Sequence, residues 1–304
     1  NTLGSQITNC GCITWCLTMP LQFDIRAILK RKAPNTKVPG FIIRYLERIA
    51  HIKQMNAFLS VHTKERDYDF IQVVLDEELG CSASIDGTEN IPTDNRPVIF
   101  VSNHPLGGLD GMIIAQMIRN YRSKNAHTQK LKVIVNELLM FMEPLAGLWA
   151  PVNKTGRLSR EQVEEQKRMW EAGTDILTFP AGACSRLQRI DRKWQIRDLE
   201  WQKNFIQRAK EYQRDVVPVY FEGKNSRFFY ALAYIRKLLH IKLNIEMLYL
   251  VDEMYNAHGK HFQVHVLPPI SYTTFDNNRS PKEWAEYVKN IVYAKQDATH
   301  HSPR

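Results

Sequence analysis

Long apolar runs are missing from this 304-residue chain, in which no window approaches the ~18 consecutive apolar residues that a membrane-spanning helix needs. Cysteine is scarce beyond residue 18, where only Cys81 and Cys184 occur, so a cytosol-facing protein with reduced thiols is expected. Cys10, Cys12 and Cys16 crowd the first residues without a fourth ligand or a nearby histidine, which is poor support for zinc. No metal and no bound cofactor is therefore expected. The Gly-x-Ser-x-Gly elbow of serine hydrolases is absent. So are zinc-finger, helix-turn-helix and aromatic RNA-binding patterns, which argues against a nucleic-acid partner.

What is present is ordinary for a globular chain, with 44% hydrophobic and 24% charged residues, enough for one large α/β domain with a helical extension or for two small domains. The net charge of +9 is concentrated in two stretches. Phe23 to Lys53 carries eight Lys/Arg against two acids, and Ser185 to Arg214 nine against four. Charge clustered this way suits an anionic membrane surface, an acidic carrier protein or nucleic acid.

Residues 1–19 read unlike the rest and are expected to be a non-native or disordered extension. Polar residues interrupt their apolar run too often for a signal peptide. Residues 20–95 are expected to form an N-terminal helical segment that contacts a membrane or a carrier. In it Pro39 opens a helix with Ile42, Tyr45, Leu46, Ile49 and Ile52 on one face and Arg44, Glu47 and Arg48 on the other. Such a helix can lie in a headgroup layer or pack on a core. Phe70 to Leu79 is a further short amphipathic helix stopped by Gly80, and Ala83 to Asp86 a strand.

From residue 96 to about 275 the chain alternates. Strands are expected at Val98 to Val101, Leu131 to Val135, Asp175 to Phe179, Val216 to Phe221, Glu246 to Leu250 and Phe262 to Leu267. Helices are expected from Met112 to about Tyr121, near Leu138 to Met142, after a capping box at Ser159 to Gln162, from about Leu199 to Arg214, and from about Ser226 to Leu239. Residues 276–304 hold a last helix, Pro281 to Tyr293, and a tail expected to be disordered. This order implies an α/β fold: a mixed, mostly parallel sheet covered by helices, preceded by an amphipathic helical segment.

The candidate site lies in Val98 to Met112, where a β-rich run ends at Ser102-Asn103 and a glycine-bearing turn leads into a buried helix. His104 and Asp110 occupy that turn, at the carboxyl end of the strand, where open α/β sheets place ligands. A histidine held by a carboxylate is a general base able to deprotonate a hydroxyl near neutral pH. Gly107, Gly108 and Gly111 allow close approach of backbone to a substrate.

Asn103-His104-Pro105-Leu106-Gly107-Gly108-Leu109-Asp110 resembles the first motif of the glycerolipid (lysophospholipid-type) acyltransferases, a His and an Asp separated by four residues. Phe179 to Arg186 resembles their third motif, Phe-Pro-Glu-Gly-Thr-Arg-Ser-Arg; Ala150 to Arg157 and Val216 to Val219 resemble the second and fourth. The His-Pro-Leu-Gly-Gly-Leu-Asp-Gly form is similar to the bacterial branch that O-acylates lyso-aminolipids, the ornithine and glycine lipids. Two departures stand out. Five residues, not four, separate His104 from Asp110, so the loop must bulge. Ala181 and Cys184 replace the usual glutamate and first arginine of the third motif, which disfavours a phosphate-bearing acceptor.

The resemblance implies a glycerolipid acyltransferase-like fold and an O-acyltransferase that moves a fatty acyl group from acyl carrier protein or coenzyme A to a lyso-lipid hydroxyl. His104 and Asp110 would be catalytic. Asn103, Gly107, Gly108, Lys154, Arg157, Gly182, Ser185 and Arg186 would bind substrate, with amides near Gly107 or Gly182 holding the oxyanion. The implied location is peripheral, on the cytoplasmic face of the bacterial inner membrane. Three other readings compete: a 1-acylglycerol-3-phosphate acyltransferase, a thioesterase or hydrolase using Cys184 with His104, and a non-enzymatic basic membrane-binding protein.

Overall fold

The computed structural model describes residues 22–26, 38–124, 130–136, 142–152, 160–241 and 244–300. Its centre is a seven-stranded sheet built from β1 (Ser82–Asp86), β2 (Ile99–Ser102), β3 (Leu131–Asn136), β4 (Trp149–Val152), β5 (Asp175–Thr178), β8 (Val216–Glu222) and β9 (His261–Val266). The strand order is β1-β9-β8-β2-β5-β3-β4, and every neighbouring pair is parallel except β8 with β9. β2, the middle strand of the sheet, is buried along its whole length, so its four apolar or small residues run without alternation.

Period two sorts the strand residues onto two cores. Phe100, Val217, Val219 and Phe221 join one apolar cluster with α4 (Leu109–Lys124) and α3 (Asp67–Val73). Ile99, Val101, Val216 and Tyr220 join the other, covered by α6 (Asn204–Glu211) and α9 (Pro281–His300). Each large side chain so buried contributes roughly 1.5–3 kcal/mol. Asp175 locks the bottom of β2 to α4, accepting the Val98 amide at 2.9 Å and pairing with the buried Arg122 at 3.0 Å.

The segment before residue 95 is tied into this body: β1 pairs in register with β9, and Phe70, Ile71 and Leu79 sit in the first core. Before it, α1 (Gly40–Ile49) and α2 (Ile52–Val61) break at His51, which takes a left-handed φ of 49° and bonds Asp252 at 2.8 Å. The inward side of α1 is Ile43 and Ile49, whereas Ile42 and Tyr45, expected on the same face as Ile49, are exposed. The last helix continues past Tyr293 to His300 and packs Trp284, Val288 and Val292 on the second core.

Two segments differ from expectation. Glu246 to Leu250 is not a strand but a 3-10 turn, Ile245–Tyr249, running into the helix α8 (Leu250–Tyr255). A short apolar run is ambiguous between strand and helix, and here a fully buried Glu246 fixes the turn through two arginines. Arg186 to Arg197 is a separate antiparallel hairpin, β6 (Arg186–Ile190) and β7 (Lys193–Arg197). Asp191 and Arg192 both have positive φ, the backbone of a type I′ turn, but without the glycine or asparagine that would announce it. The basic helix expected from Leu199 consequently starts later, at Asn204. Two further helices are α5 (Arg160–Glu171) and α7 (Arg227–Leu238), the latter capped by Ser226 Oγ accepting the Phe229 amide.

Candidate active site

The loop from β2 to α4 carries the expected pair. His104 Nδ1 lies 3.1 Å from Asp110 Oδ2, with the carboxylate wholly buried and the imidazole mostly so. The extra residue in the loop is absorbed where Gly107 takes a φ of +76°. A side chain there would also meet Leu250 at 2.9 Å and Cys184 at 3.3 Å.

Asp110 stands in the first turn of α4, where a negative charge meets free amides and the helix dipole. It accepts the amides of Leu106 at 2.9 Å, Gly108 at 3.1 Å and Gly111 at 2.8 Å. Burial pulls its pKa upward, but the charge and hydrogen bond of His104, with the Leu106 and Gly111 amides, outweigh burial and leave it below the usual carboxylate range. The His104 ring stacks on Phe179, centroids 4.2 Å apart. A histidine so oriented, with Nδ1 toward a fixed carboxylate, is arranged for proton transfer at its other nitrogen.

Asp198, which the motif reading passes over, anchors the histidine from behind. One of its oxygens accepts the His104 amide at 3.2 Å and the Ser185 hydroxyl at 2.6 Å, and the other accepts the Trp201 indole N–H at 2.8 Å. The Ser185 amide in turn donates to the His104 carbonyl at 2.8 Å, so both main-chain polar groups of His104 are fixed. Burial dominates at Asp198 and raises its pKa despite these donors. Its signal in the sequence is only an acid inside a basic stretch.

Other expected substrate residues prove to build the loop. Asn103 is buried and sutures β2 to β8, donating to the Phe221 carbonyl at 2.9 Å and accepting its amide at 2.7 Å. Ser185 is buried with its hydroxyl given to Asp198. The Gly182 amide already donates to the Phe179 carbonyl at 2.9 Å, and that of Gly108 to Asp110, so neither amide is placed for an oxyanion. Gly182 itself is exposed, with a φ of 63°. Lys154, Arg157, the capping serine Ser159 and the helix expected near Leu138 lie outside the described residues, save Met142 at its end.

Arg186 is held by its own surroundings. It donates to the Cys184 carbonyl at 2.8 Å and to Glu246 Oε1 at 2.9 Å, and its guanidinium lies 5.3 Å from the Phe229 ring centre. Arg236 pairs with the other oxygen of Glu246 at 2.9 Å, off the line of a hydrogen bond. Two guanidiniums thus share one buried carboxylate. Cys184, beneath them, is fully buried, and burial pushes its thiol up to about 11 although Arg186 opposes the rise. A thiol with that pKa is not a nucleophile near neutral pH, which removes the support for a cysteine hydrolase. Among the described residues no group of three or more His, Cys, Asp or Glu is placed to hold a metal ion.

Comparison with known proteins follows the same line. The crystal structure of the 1-acyl-sn-glycerophosphate (LPA) acyltransferase PlsC from Thermotoga maritima superposes with a TM-score of 0.46 and 16% identity, over 87% of this chain and 90% of that one. A protein of Bacteroides thetaiotaomicron named lyso-glycine lipid O-acyltransferase is 41% identical over 272 residues, 89% of this chain and 96% of its own length. One of the same name from Phocaeicola vulgatus is 42% identical over 272 residues, covering 89% of this chain and 94% of its own. A family model described as acyltransferase matches residues 27–300. With nearly the whole chain matched and the motif pair in contact at the sheet's carboxyl edge, the chain belongs to this acyltransferase family and is an acyl-transferring enzyme.

Proposed function

We propose that the chain transfers a fatty acyl group from an acyl thioester to a hydroxyl of a lyso-aminolipid. His104 takes the hydroxyl proton at Nε2, the alkoxide oxygen attacks the thioester carbonyl, and the tetrahedral intermediate expels the thiol, which leaves with a proton returned by the imidazolium. Asp110 orients the ring and stabilises its charge while the proton is held. Both substrates are bound together, so no covalent enzyme intermediate and no cofactor is required. The observation that carries the reading is the 3.1 Å contact between His104 and a buried carboxylate braced by three amides.

An amino-acid headgroup, glycine above all, is supported by the names of the two relatives and by the absence of glutamate and arginine at Ala181 and Cys184. The Arg186 and Arg236 pair shares one Glu246, leaving a single net positive charge suited to the one carboxylate of such a headgroup. The donor is acyl carrier protein or coenzyme A. A lipid acceptor and a cytosolic donor put the reaction on the cytoplasmic face of the inner membrane. Among the described residues no helix is long and apolar enough to cross a bilayer.

The test is mass spectrometry of products when purified protein is given acyl carrier thioester or acyl-CoA and a panel of lyso-lipids with glycine, ornithine and glycerol phosphate headgroups. Acylation of the amino-acid lipids is expected. Acylation of lysophosphatidate alone overturns the acceptor, and no acylation of any acceptor overturns the whole reading.

A further inference from the structure

Helix α7 is apolar on two sides. Phe229, Tyr230 and Ala233 face inward, the first two in a cluster with Cys184, Met247 and Leu250. Facing solvent are Phe228 at 53% exposure, Ile235 at 49% and Leu238 at 65%, followed past the helix end by Leu239 at 62%. Positions 228, 235 and 238 fall within one helical stripe, so this is a surface and not a scatter of single residues.

The stripe continues onto two neighbours. Tyr234 packs edge-on against Trp194 of the β6–β7 hairpin, centroids 5.8 Å apart, and Trp194 is itself 56% exposed. At the other end Phe228 meets Tyr249 at 5.0 Å, and the Tyr249 hydroxyl meets that of Tyr45 on α1, one turn after the exposed Phe41.

The charges bordering this face have one dominant sign. α7 contains no acid and exposes Arg227 and Lys237. The hairpin turn adds Arg189, Arg192 and Lys193 against Asp191, and α1 adds Arg44 and Arg48, while its only acid, Glu47, pairs with Arg26 at 3.7 Å. We propose that α7, the hairpin turn and the outer side of α1 form one face that seats on an anionic lipid surface, with the apolar stripe among the acyl chains and the cations at the headgroups.

Each cation near such a surface strengthens binding to anionic lipid, and aromatic side chains with a polar edge favour the interface. A second copy of the chain would set these cations against one another, which disfavours a dimer through this face. The placement also fits the chemistry. The inner side of α7 rests on Cys184 and Leu250, and these two border Gly107 in the His104 loop. Packed contacts therefore join the inner side of α7 to the loop that carries His104.

The inference rests on the lipid-acceptor reading for its purpose but is tested apart from it. The whole protein is sedimented with vesicles of phosphatidylcholine alone or mixed with phosphatidylglycerol. The parent is expected to favour the anionic vesicles, and Leu238→Ser/Leu239→Ser and Trp194→Ser to lower binding by about tenfold, with unchanged thermal melts. Arg192→Glu/Lys237→Glu should abolish the preference for anionic lipid, whereas Val163→Ser, an exposed apolar position on α5, should do nothing. Parent-like vesicle binding by the α7 and hairpin variants overturns the proposal, as does a parent dimer that these changes dissociate while vesicle binding stands. His104→Ala should bind vesicles like the parent, so absent acylation with intact, face-dependent binding would fault the activity and not the surface.

Discussion

The main-chain amide of His104 donates to Oδ1 of Asp198, a fully buried acid 94 residues further on, over 3.2 Å. With the Ser185 amide on the His104 carbonyl and the Ser185 hydroxyl on the same carboxylate, the peptide that carries the base is held by the start and the end of the β6–β7 hairpin. Asp198 touches no reacting atom, so it acts by position. Asp198→Asn retains an oxygen for His104 and Ser185 but sets an amide N–H against the Trp201 indole N–H. A displacement on the order of 1 Å at the base costs about 100-fold. The expected result is a kcat lowered by about that factor with the acceptor KM within about threefold of the parent's. A KM effect without a kcat effect in steady-state assays would refute the positioning role.

Asp110 makes a pH-dependent contribution to stability whose sign is fixed by its lowered pKa. A carboxylate with a folded pKa below its unfolded one stabilises the fold fully above the unfolded value, and that stability is lost as pH falls through the folded value. Asp110→Asn is therefore expected to lower the Tm most at neutral pH, with the gap to the parent closing as the solution is acidified below the ordinary carboxylate range. Activity should fall by about 10²–10⁴ in the same variant and in His104→Ala, the range for loss of a general base or its support. Calorimetry from neutral to acid pH checks the first statement; a gap that widens in acid contradicts it.

The Arg186, Glu246 and Arg236 cluster predicts a separable effect on the acceptor. Removing one partner from a buried ion cluster costs about 3–5 kcal/mol, because charge is left without its counterion. Glu246→Gln leaves two half-buried guanidiniums without their shared carboxylate and should lower stability by up to about that amount in urea unfolding. Arg236→Gln leaves Arg186 and Glu246 matched, so the fold should tolerate it better while the net positive charge of the cluster is gone. Its acceptor KM is expected to rise by about tenfold with kcat and donor KM little changed, one salt-bridge-like contact to a carboxylate being of that size. An unchanged acceptor KM would move the headgroup site elsewhere.

How much of this was legible in the sequence depends on range. The strand, loop and helix around His104 are local, and the residues themselves carry the β-rich run, the glycines and the helix start, so the pair at 3.1 Å is foreseeable. Asp198 and Glu246 are not foreseeable, since each owes its role to partners far along the chain that only the folded sheet brings near. Their burial also reverses the reading of Arg186, which looks like a free cation in sequence and is a paired one in space. Ile245 to Tyr249 misleads for a related reason: its composition suits a strand, and the buried ion cluster makes it a turn. The hairpin hides because its turn uses Asp191 and Arg192 at positive φ in place of glycine.

Cys184 offers a last test, because it separates direct transfer from a route through an acyl-enzyme. Its sulfur is buried, lies 2.8 Å from an Arg186 nitrogen and 3.7 Å from Met247 Sδ, and has its pKa pushed up to about 11 by burial. Burial thus disfavours the thiolate that a working nucleophile needs at neutral pH. Cys184→Ser keeps a small hydroxyl that can accept from Arg186, so acyl transfer within about threefold of the parent is expected, the difference reflecting ordinary repacking. Intact-protein mass spectrometry of the parent mixed with acyl thioester alone should show no mass increase of one acyl group. Loss of transfer in Cys184→Ser, together with an acyl adduct on Cys184 in the parent, would replace the His104 mechanism with a covalent one.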